Sequence, residues 1–277
     1  MTGHFSGKTA WITGASSGIG AALAREAANR GTHVILSGRD EARLRDIADT
    51  CDTETLILPF DVRDEAAMHA ATEKAIAWRG GIDLFVANAG ISQRSRATQT
   101  AMQVYRDIIE IDLTAQIAAV QALLPNLVEQ ASKDEPKHLV FISSIAGKVG
   151  VPLRTAYCAA KHGLIGYADA LRGELSQTGI GVHVVCPGSV ATNVSRNALT
   201  ASGTARGKSD KAIDDGLDPN TVATDILNAI TLGQREIILA KGFEEAMGEM
   251  RRTPDQLFDQ VAAMVANGYM DKVEAEG

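Results

Sequence analysis

The sequence predicts an α/β protein built on a doubly wound parallel sheet, with about seven strands and helices on both faces. Short apolar runs typical of buried strands alternate along the chain with longer stretches of helical periodicity. No proline-rich linker or internal repeat divides the 277 residues. A single domain over residues 1–277 is therefore favoured over two small ones. The apolar share of 45% is enough for a core covered on both faces.

The first predicted strand and helix are joined by a glycine-rich turn. Residues 8–13 predict the strand, residues 21–28 predict the helix, and the glycines between them have the spacing Gly-x3-Gly-x-Gly. Such a turn lets main-chain N–H groups approach a pyrophosphate, and the helix N-terminus adds its dipole. A tight turn without a ligand is the alternative, but the strand before it and the helix after it favour a dinucleotide site. The candidate residues are Gly14, Ser16, Ser17, Gly18, Ile19 and Gly20.

The end of the second predicted strand, at residues 33–40, indicates which dinucleotide would bind. Folds that prefer NAD place a carboxylate there, where it hydrogen-bonds the ribose 2′-hydroxyl. Gly38 stands at that position here, and Arg39 follows with a planar cation suited to a 2′-phosphate. Asp40 is the competing interpretation, although aspartate is also typical of a helix N-cap. We predict NADP(H) as the cofactor, with Arg39 in contact with it.

A tyrosine and a lysine four residues apart, Tyr157 and Lys161, lie on one face of a later predicted helix. An ammonium beside a phenol favours the phenolate, so Lys161 is expected to ease ionisation of Tyr157. Such a phenol can exchange a proton with a carbonyl or alcohol oxygen. Ser144 follows the apolar run at residues 138–143, which predicts a buried strand with this hydroxyl at its carboxyl end. A packed tyrosine and a solvated lysine are the alternative for an isolated pair.

Together, the glycine turn and the Tyr-x3-Lys pair, about 140 residues apart, resemble the short-chain dehydrogenase/reductase family. The resemblance covers roughly residues 6–240. It implies a Rossmann fold and a nicotinamide dinucleotide cofactor. It also implies that Tyr157 is the general acid/base, that Ser144 polarises the substrate carbonyl, and that Lys161 binds the cofactor ribose. Ser144 and Tyr157 would both contact the substrate.

The resemblance extends to residues that follow other predicted strands. In the family, these positions contact the adenine, line the ribose and hold the nicotinamide, whose carboxamide is bound by a threonine. The corresponding residues here are Asp61 and Val62 for the adenine, Asn88, Ala89 and Gly90 for the ribose, and Pro187, Gly188, Val190 and Thr192 for the nicotinamide.

One position departs from the family pattern. Relatives usually carry asparagine where Asp112 stands, and the main-chain carbonyl of that residue holds a water in a proton relay from the lysine. An aspartate keeps the carbonyl, but a buried carboxylate must be paired or protonated. A side chain that points away from the site is the alternative. Asp112 is therefore a fourth candidate catalytic residue, with an expected effect on pH dependence.

Two further segments are predicted to modify the domain. Residues 193–218 are rich in small and polar side chains and predict a substrate lid, with an ordinary surface loop as the alternative. Residues 241–277 predict a C-terminal extension of two short helices, around residues 245–247 and 257–265, separated by Pro254. Residues 143–148, 154–157 and 192–200 resemble one subgroup of the family, which contains reductases of lipid-like ketones, steroids and retinoids and bacterial relatives of unknown substrate.

Composition restricts the partners and the location. The net charge of −7 and the aromatic share of 4% speak against nucleic-acid binding. Cys51, Cys158 and Cys186 have no metal-ligand spacing, so we expect free thiols and no metal. No signal peptide is recognisable, and no run approaches the roughly 18 apolar residues of a membrane-spanning helix. A cytoplasmic protein without a membrane anchor is the expectation.

These observations predict an NADP(H)-dependent oxidoreductase that transfers a hydride between the nicotinamide and a small-molecule ketone or secondary alcohol. A non-catalytic dinucleotide sensor or scaffold on the same fold is the alternative, although a pure binding module has no use for Ser144, Tyr157 and Lys161. Different chemistry, such as dehalogenation or epimerisation, is a third possibility. The resemblance also implies a homodimer or homotetramer.

Overall fold

The computed structural model describes residues 5–250, 263, 267–269, 272 and 275. Seven parallel strands form one sheet in the order β3-β2-β1-β4-β5-β6-β7, which confirms the predicted fold class. The strands are β1 (Thr9–Thr13), β2 (His33–Gly38), β3 (Thr55–Pro59), β4 (Leu84–Ala87), β5 (Lys137–Ile142), β6 (Ile180–Pro187) and β7 (Glu236–Leu239).

Helices follow most strands and cover both faces of the sheet. Two short turns of 3₁₀ helix, Trp78–Gly80 and Ile145–Gly147, and one π-helical turn, Glu110–Thr114, complete the described elements. The α-helices are α1 (Gly18–Asn29), α2 (Glu41–Ala48), α3 (Glu65–Ala77), α4 (Met102–Ile109), α5 (Ala115–Gln130), α6 (Thr155–Glu174), α7 (Lys211–Asp214), α8 (Pro219–Thr231) and α9 (Phe243–Met250).

The core consists of two apolar layers, one on each face of the sheet. Neighbouring residues of β1 point to opposite layers, as the alternation of a strand requires. Trp11 packs with residues of α3, α5 and α6, whereas Ile12 packs with residues of α1 and α8. Because both faces are covered, the strands are apolar almost throughout, which explains the continuous runs in the sequence.

The strand order reverses beside β1, which pairs with β2 on one side and with β4 on the other. In doubly wound sheets, a crevice forms at this point, outside the carboxyl ends of the strands, and ligands bind there. The fold therefore places the segments after β1, β2, β4, β5 and β6 along one edge of the sheet.

The helical stretch Met102–Gln130 corrects the expectation that no segment is long and apolar enough to span a membrane. By length, and by the mean hydropathy of 1.4 of an 18-residue window within it, this stretch would be sufficient. In this fold, however, Val120, Leu123 and Leu127 of α5 are fully buried in the core beside the sheet. One side of α5 therefore belongs to the core, and 39% of the apolar window is buried in the structure.

At the start of the predicted C-terminal extension, residues Phe243–Met250 form the short helix α9. This helix packs within the same chain, against β7 and the turn Ile145–Gly147. Met247 is buried in the core between them. The second predicted helix, around residues 257–265, and the break at Pro254 lie outside the described residues except for residue 263.

Candidate active site

The glycine turn adopts a conformation that only glycine accommodates well. Gly14 and Gly18 have positive φ angles of 65° and 55°. A Cβ atom on Gly20 would lie 2.4 Å from the carbonyl oxygen of Gly14. Helix α1 begins at Gly18, and its N-cap residue Ser17 makes no side-chain capping hydrogen bond. The first N–H groups of α1 are therefore not occupied by a side-chain cap, as an anion site requires.

Asn88, predicted to line the ribose, uses its side chain to hold the glycine turn in place. Its Nδ2 donates to the carbonyl oxygens of Thr13 at 2.8 Å and Gly14 at 3.2 Å. In return, Thr13 Oγ1 accepts the main-chain N–H groups of Asn88 and Ala89, at 3.0 and 3.1 Å. The carboxyl ends of β1 and β4 are thus locked together at the switch point of the sheet.

The predicted cofactor-selecting residues lie at the end of β2. Arg39 is exposed, and a Cβ atom on Gly38 would be 3.5 Å from Ser16 Oγ of the glycine turn. Asp40 is the N-cap of α2: its carboxylate accepts the N–H of Arg43 at 3.1 Å and contacts the Arg43 Nε at 3.2 Å. The competing carboxylate is therefore engaged by its own helix.

Asp61, predicted to contact the adenine, is paired with Arg63. The guanidinium donates to its two oxygens at 3.0 and 2.6 Å, and the Arg63 main-chain N–H adds a third bond at 3.0 Å. These hydrogen bonds, with a smaller contribution from the charge of Arg39, lower the pKa of Asp61. Two arginines thus flank this end of the crevice. Val62 lies beside Asp61 and packs on the core.

Lys161 is the most enclosed cation at the crevice, with a side chain that is only 4% exposed. Its Nζ donates to the carbonyl oxygen of Ile142, at the end of β5, at 3.0 Å. It lies 3.3 Å from Asp112 Oδ2 and 5.6 Å from the ring centroid of Tyr157. Among the described contacts, Nζ makes a hydrogen bond only to the Ile142 carbonyl, whereas Asp112 Oδ2 is an ion-pair partner that is buried without a hydrogen bond.

Asp112 faces Lys161 rather than pointing away, and its side chain is fully buried. Its Oδ1 accepts the main-chain N–H of Ile91 at 2.8 Å. A Cβ atom on Gly90 would lie 3.2 Å from Asp112 Oδ2 and 3.4 Å from Lys161 Nζ, so glycine gives this pair its space. Asp112 belongs to the π-helical turn between α4 and α5. Such turns occur frequently at functional sites.

The charges of this pair depend on each other. Burial lowers the pKa of Lys161, but the carboxylate of Asp112 and the phenol of Tyr157 raise it by more, so the net shift is upward. Burial raises the pKa of Asp112, against the opposing effects of Lys161 and the Ile91 N–H. The Asp112 carboxylate therefore raises the pKa of Lys161, which burial alone would lower.

Two adjacent serines after β5 have different partners. The Ser143 hydroxyl donates to the carbonyl oxygen of Lys161 at 3.0 Å and ties the strand to α6. The Ser144 hydroxyl donates to the carbonyl oxygen of Pro187, at the end of β6, at 3.3 Å and accepts the N–H of Ala146 at 3.1 Å. Ser144 thus lies at the carboxyl ends of β5 and β6, as predicted from the sequence.

The predicted nicotinamide segment, residues 187–192, meets the glycine turn from the opposite side. Thr192 Cγ2 would lie 3.1 Å from a Cβ atom on Gly18. Val190 is buried in the core, so only its main chain can face a ligand. Ile19 also packs on that core. A cavity of about 420 Å³ opens beside these two segments and extends along α1 to Pro219 and Asn220, and its lining does not include Ser144, Tyr157 or Lys161.

Two buried glutamines that the sequence analysis missed support the site. Gln116 Nε2 donates to the carbonyl oxygens of Ala89 at 2.7 Å and Ile111 at 3.0 Å, and so connects the loop after β4 to the π-helical turn. Gln93 Oε1 accepts the N–H of Ala156, next to Tyr157, at 2.9 Å. Neither residue belongs to a spacing motif, so no sequence signal marked them.

The segment predicted to be a lid, residues 193–218, is docked on the loop after β4. Main-chain hydrogen bonds join Leu199 to Ser92 at 2.8 Å and to Arg94 at 2.9 Å. The buried guanidinium of Arg94 also donates to Asp210 at 2.6 Å. The carboxylate of Asp210 pairs with Arg206 as well, and its main-chain N–H donates to Ser195 at 3.0 Å. Whether the segment opens for a substrate stays a prediction.

A protein-family comparison bears on this geometry. The family model described as short chain dehydrogenase matches residues 8–202, which include every motif of the crevice. The chain belongs to the short-chain dehydrogenase family. A relative from Danio rerio, the dehydrogenase/reductase SDR family member 7B, is 35% identical over 242 residues, covering 84% of this chain and 77% of the relative. Its name fits the subgroup that the sequence resembles.

Solved structures of the family have the same fold. A short-chain dehydrogenase/reductase from Burkholderia phymatum, in complex with NAD, matches with a TM-score of 0.76 and 24% identity, over 84% of this chain and 89% of that one. A short-chain dehydrogenase from Sphingobium yanoikuyae, in complex with NADPH, matches with a TM-score of 0.74 and 24% identity, over 91% and 95%. These structures show that the fold of this chain is that of the solved members of the family.

Proposed function

We propose that the protein is an NADP(H)-dependent oxidoreductase that interconverts a small-molecule ketone and a secondary alcohol, with Tyr157 as the general acid/base. The observation that carries the proposal is the buried Lys161 ammonium, held between the Asp112 carboxylate, the Ile142 carbonyl and the Tyr157 ring. A binding module would gain nothing from burying this ion pair beside a phenol, because burial of charges is costly.

The residues of the crevice fit a nicotinamide dinucleotide. The glycine turn leaves no room for side chains where main-chain N–H groups must approach a pyrophosphate, and α1 lacks a side-chain cap. Lys161 and the loop after β4 would hold the nicotinamide ribose, and residues 187–192 would hold the nicotinamide. When bound, the dinucleotide supplies the hydride acceptor or donor of the reaction.

The chain's own residues would handle the proton. In reduction, the Tyr157 hydroxyl donates its proton to the substrate oxygen, and in oxidation the phenolate accepts it. The Ser144 hydroxyl would exchange its long bond to Pro187, 3.3 Å, for a bond to the same substrate oxygen. The Lys161 ammonium, 5.6 Å from the Tyr157 ring centroid, would stabilise negative charge that develops on the phenol oxygen during the proton transfer. Asp112 favours the ammonium form of Lys161, because its carboxylate raises the pKa of that lysine.

The preference for NADP(H) is supported at the end of β2. Arg39 is exposed beside the crevice, and Asp40 is engaged as the cap of α2. A guanidinium can form charge-assisted hydrogen bonds with a 2′-phosphate, whereas a free carboxylate would repel it. The solved relatives include complexes with NAD and with NADPH, so they do not indicate which of the two this chain prefers. The proposed preference therefore depends on the residues at the end of β2.

Self-association is part of the proposal. In the family, α5 and α6 pack against their symmetry copies, and α6 here exposes small residues such as Ala159, Gly166 and Ala170. Small side chains permit close helix approach, and closed symmetric assemblies are the commonest oligomers. We propose a homodimer or homotetramer that acts in the cytoplasm on a small carbonyl or alcohol substrate.

The decisive experiment compares wild-type protein with Tyr157→Phe. Wild-type protein is expected to consume NADPH with at least one member of a panel of aliphatic, steroid and sugar ketones. Tyr157→Phe should bind NADPH with similar affinity but lose about 100- to 10,000-fold in turnover, the usual contribution of general acid/base catalysis. A loss below tenfold would count against the role of Tyr157.

The alternative of a non-catalytic sensor gives a different result in the same experiment. Such a protein would bind NADPH tightly, but neither the wild type nor Tyr157→Phe would consume it with any ketone, or reduce NADP with the matching alcohols. A Tyr167→Phe variant is the matched control, because Tyr167 is a half-buried tyrosine farther along α6 that hydrogen-bonds Gln121 at 3.1 Å. Its turnover should equal that of the wild type.

A further inference from the structure

One carboxylate of the C-terminal extension is bonded directly to the predicted nicotinamide segment. Glu244, in the first turn of α9, accepts the main-chain N–H of Ser189 through Oε2 at 2.7 Å. Its other oxygen, Oε1, accepts the Ser189 hydroxyl at 2.8 Å. Both bonds are short and charge-assisted, which places them among the stronger hydrogen bonds in proteins. They span 55 residues of sequence.

The main chain around Ser189 is adapted to this contact. A Cβ atom on Gly188 would lie 2.3 Å from Glu244 Oε2 and 3.0 Å from the Ala240 Cβ, so only glycine lets α9 approach. On the opposite side, the carbonyl oxygen of Ser189 accepts the N–H of Leu217 at 2.9 Å. Ser189 is therefore held at its N–H, its hydroxyl and its carbonyl oxygen. This fixes the middle of the segment that begins at Pro187 and ends at Thr192.

Helix α9 is itself fixed to the catalytic side of the sheet. Met247 is buried in the core, and a Cβ atom on Gly248 would lie 3.7 Å from Ile238 Cδ1 and 3.9 Å from Ile145 Cδ1. Ile145 directly follows Ser144. One rigid helix thus supports both the turn that carries Ser144 and, through Glu244, the segment after β6.

We propose that Glu244 is a positioning residue for the nicotinamide half of the cofactor, an inference that rests on the proposed function. Its carboxylate holds residues 187–192 in the conformation that binds the nicotinamide, although it contacts neither cofactor nor substrate itself. The extension beyond β7 is therefore part of the cofactor site. It acts at the nicotinamide end only, because the adenosine end is formed by β2, β3 and their following residues.

A positioning role at the nicotinamide end should affect only ligands that contain the nicotinamide half, whereas a general structural role should affect every ligand of the site. The test measures the affinity of the full-length protein for NADPH and for adenosine 2′,5′-bisphosphate, which lacks the nicotinamide half. Glu244→Ala is expected to weaken NADPH binding about tenfold or more, the order expected when charge-assisted hydrogen bonds are lost. Its affinity for adenosine 2′,5′-bisphosphate should stay at the wild-type value.

Matched variants define what the carboxylate contributes. Glu245→Ala changes the neighbouring exposed glutamate of α9 and should leave both affinities unchanged. Glu244→Gln keeps one acceptor oxygen without the charge and should lie between Glu244→Ala and the wild type. An equal loss of both affinities in Glu244→Ala, or no loss in either, would overturn the proposal.

Amide hydrogen exchange tests the same contact without any ligand. In the ligand-free protein, the Ser189 amide should exchange at least about tenfold faster in Glu244→Ala than in the wild type or Glu245→Ala, since its acceptor is gone. Unchanged exchange would contradict the positioning role. If the wild type binds neither ligand, the proposed function fails, yet the exchange measurement still decides whether Glu244 holds the segment.

Discussion

At the scale of single residues, the buried pair of Asp112 and Lys161 is the main departure from the family pattern. Asp112 stands where the resemblance implies an asparagine, and its carboxylate lies 3.3 Å from Lys161, the lysine that is proposed to assist Tyr157. Its negative charge stabilises the ammonium but opposes a second negative charge on the phenol. A neutral asparagine at this position would have neither of these two effects.

We predict that Asp112→Asn stays active and shifts its pH profile. The amide keeps the side-chain volume and can still accept the Ile91 N–H, but it no longer raises the pKa of Lys161. With the anion gone, the pKa of Lys161 is no longer raised, so the basic limb of the rate, where the ammonium loses its proton, should move to lower pH. The measurement is turnover against pH. Asp46→Asn, at an exposed position on α2, is the control and should reproduce the wild-type profile. Superimposable profiles for Asp112→Asn would mean that its charge does not influence the reaction.

Arg39 supports a second prediction at this scale. Arg39→Gln should weaken NADPH binding by roughly ten- to a hundredfold, because a charge-assisted contact to the 2′-phosphate is lost. NADH, which lacks that phosphate, should bind as before. Fluorescence titration with both cofactors measures the difference. Arg45→Gln, which changes another exposed arginine on α2, should leave both affinities intact. Equal affinities of the wild type for the two cofactors would show that Arg39 does not select between them.

At the scale of elements, the buried carboxylate of Asp210 is one of the groups that fix residues 193–218 to the loop after β4. Burial alone would raise the pKa of Asp210, but Arg94, Arg206 and Ser195 lower it to about 2. A carboxyl group whose pKa is depressed in the folded state stabilises the fold above its usual pKa of 3.8. That stabilisation disappears as the pH falls from about 4 towards about 2.

We therefore predict that Asp210→Asn lowers the free energy of unfolding at pH 7 by about 3 kcal/mol, because it leaves the Arg94 guanidinium buried without its charge partner. Urea unfolding measures the effect. The difference between variant and wild type should shrink between about pH 4 and pH 2, where the wild type loses the same charge. Asp215→Asn, at an exposed position after α7, should unfold like the wild type at every pH. A difference that stays constant down to pH 2 would contradict the ionic role.

At the scale of the whole molecule, the outward face of α6 is the expected contact between subunits. Light scattering at micromolar concentration should give the mass of a dimer or tetramer. Ala170→Gln places a longer side chain on this exposed face and should shift the mass towards that of one chain. Ala42→Gln makes the same change on exposed α2 and should not. A wild-type mass equal to one chain would refute self-association.

The sequence by itself determined the fold class and the residues of the two main motifs. It also indicated which segments, each directly after a strand, carry the candidate site residues. These features depend on short-range patterns: apolar runs fix strands, helical spacing puts Tyr157 and Lys161 on one face, and glycine spacing marks the turn before α1. The sequence also predicted Asp40 as the N-cap of α2, because a capping side chain bonds an N–H group only two or three residues away.

Only the tertiary structure decided the contacts between distant segments. The π-helical turn directs Asp112 towards Lys161, Glu244 reaches Ser189 across 55 residues, and Arg94 meets Asp210 across 116. Such contacts follow from how helices and loops pack on the sheet, and a polar side chain in a loop carries no periodic signal of its partner. The residues of the motifs are therefore set by local pattern, whereas the residues that position them are set by packing.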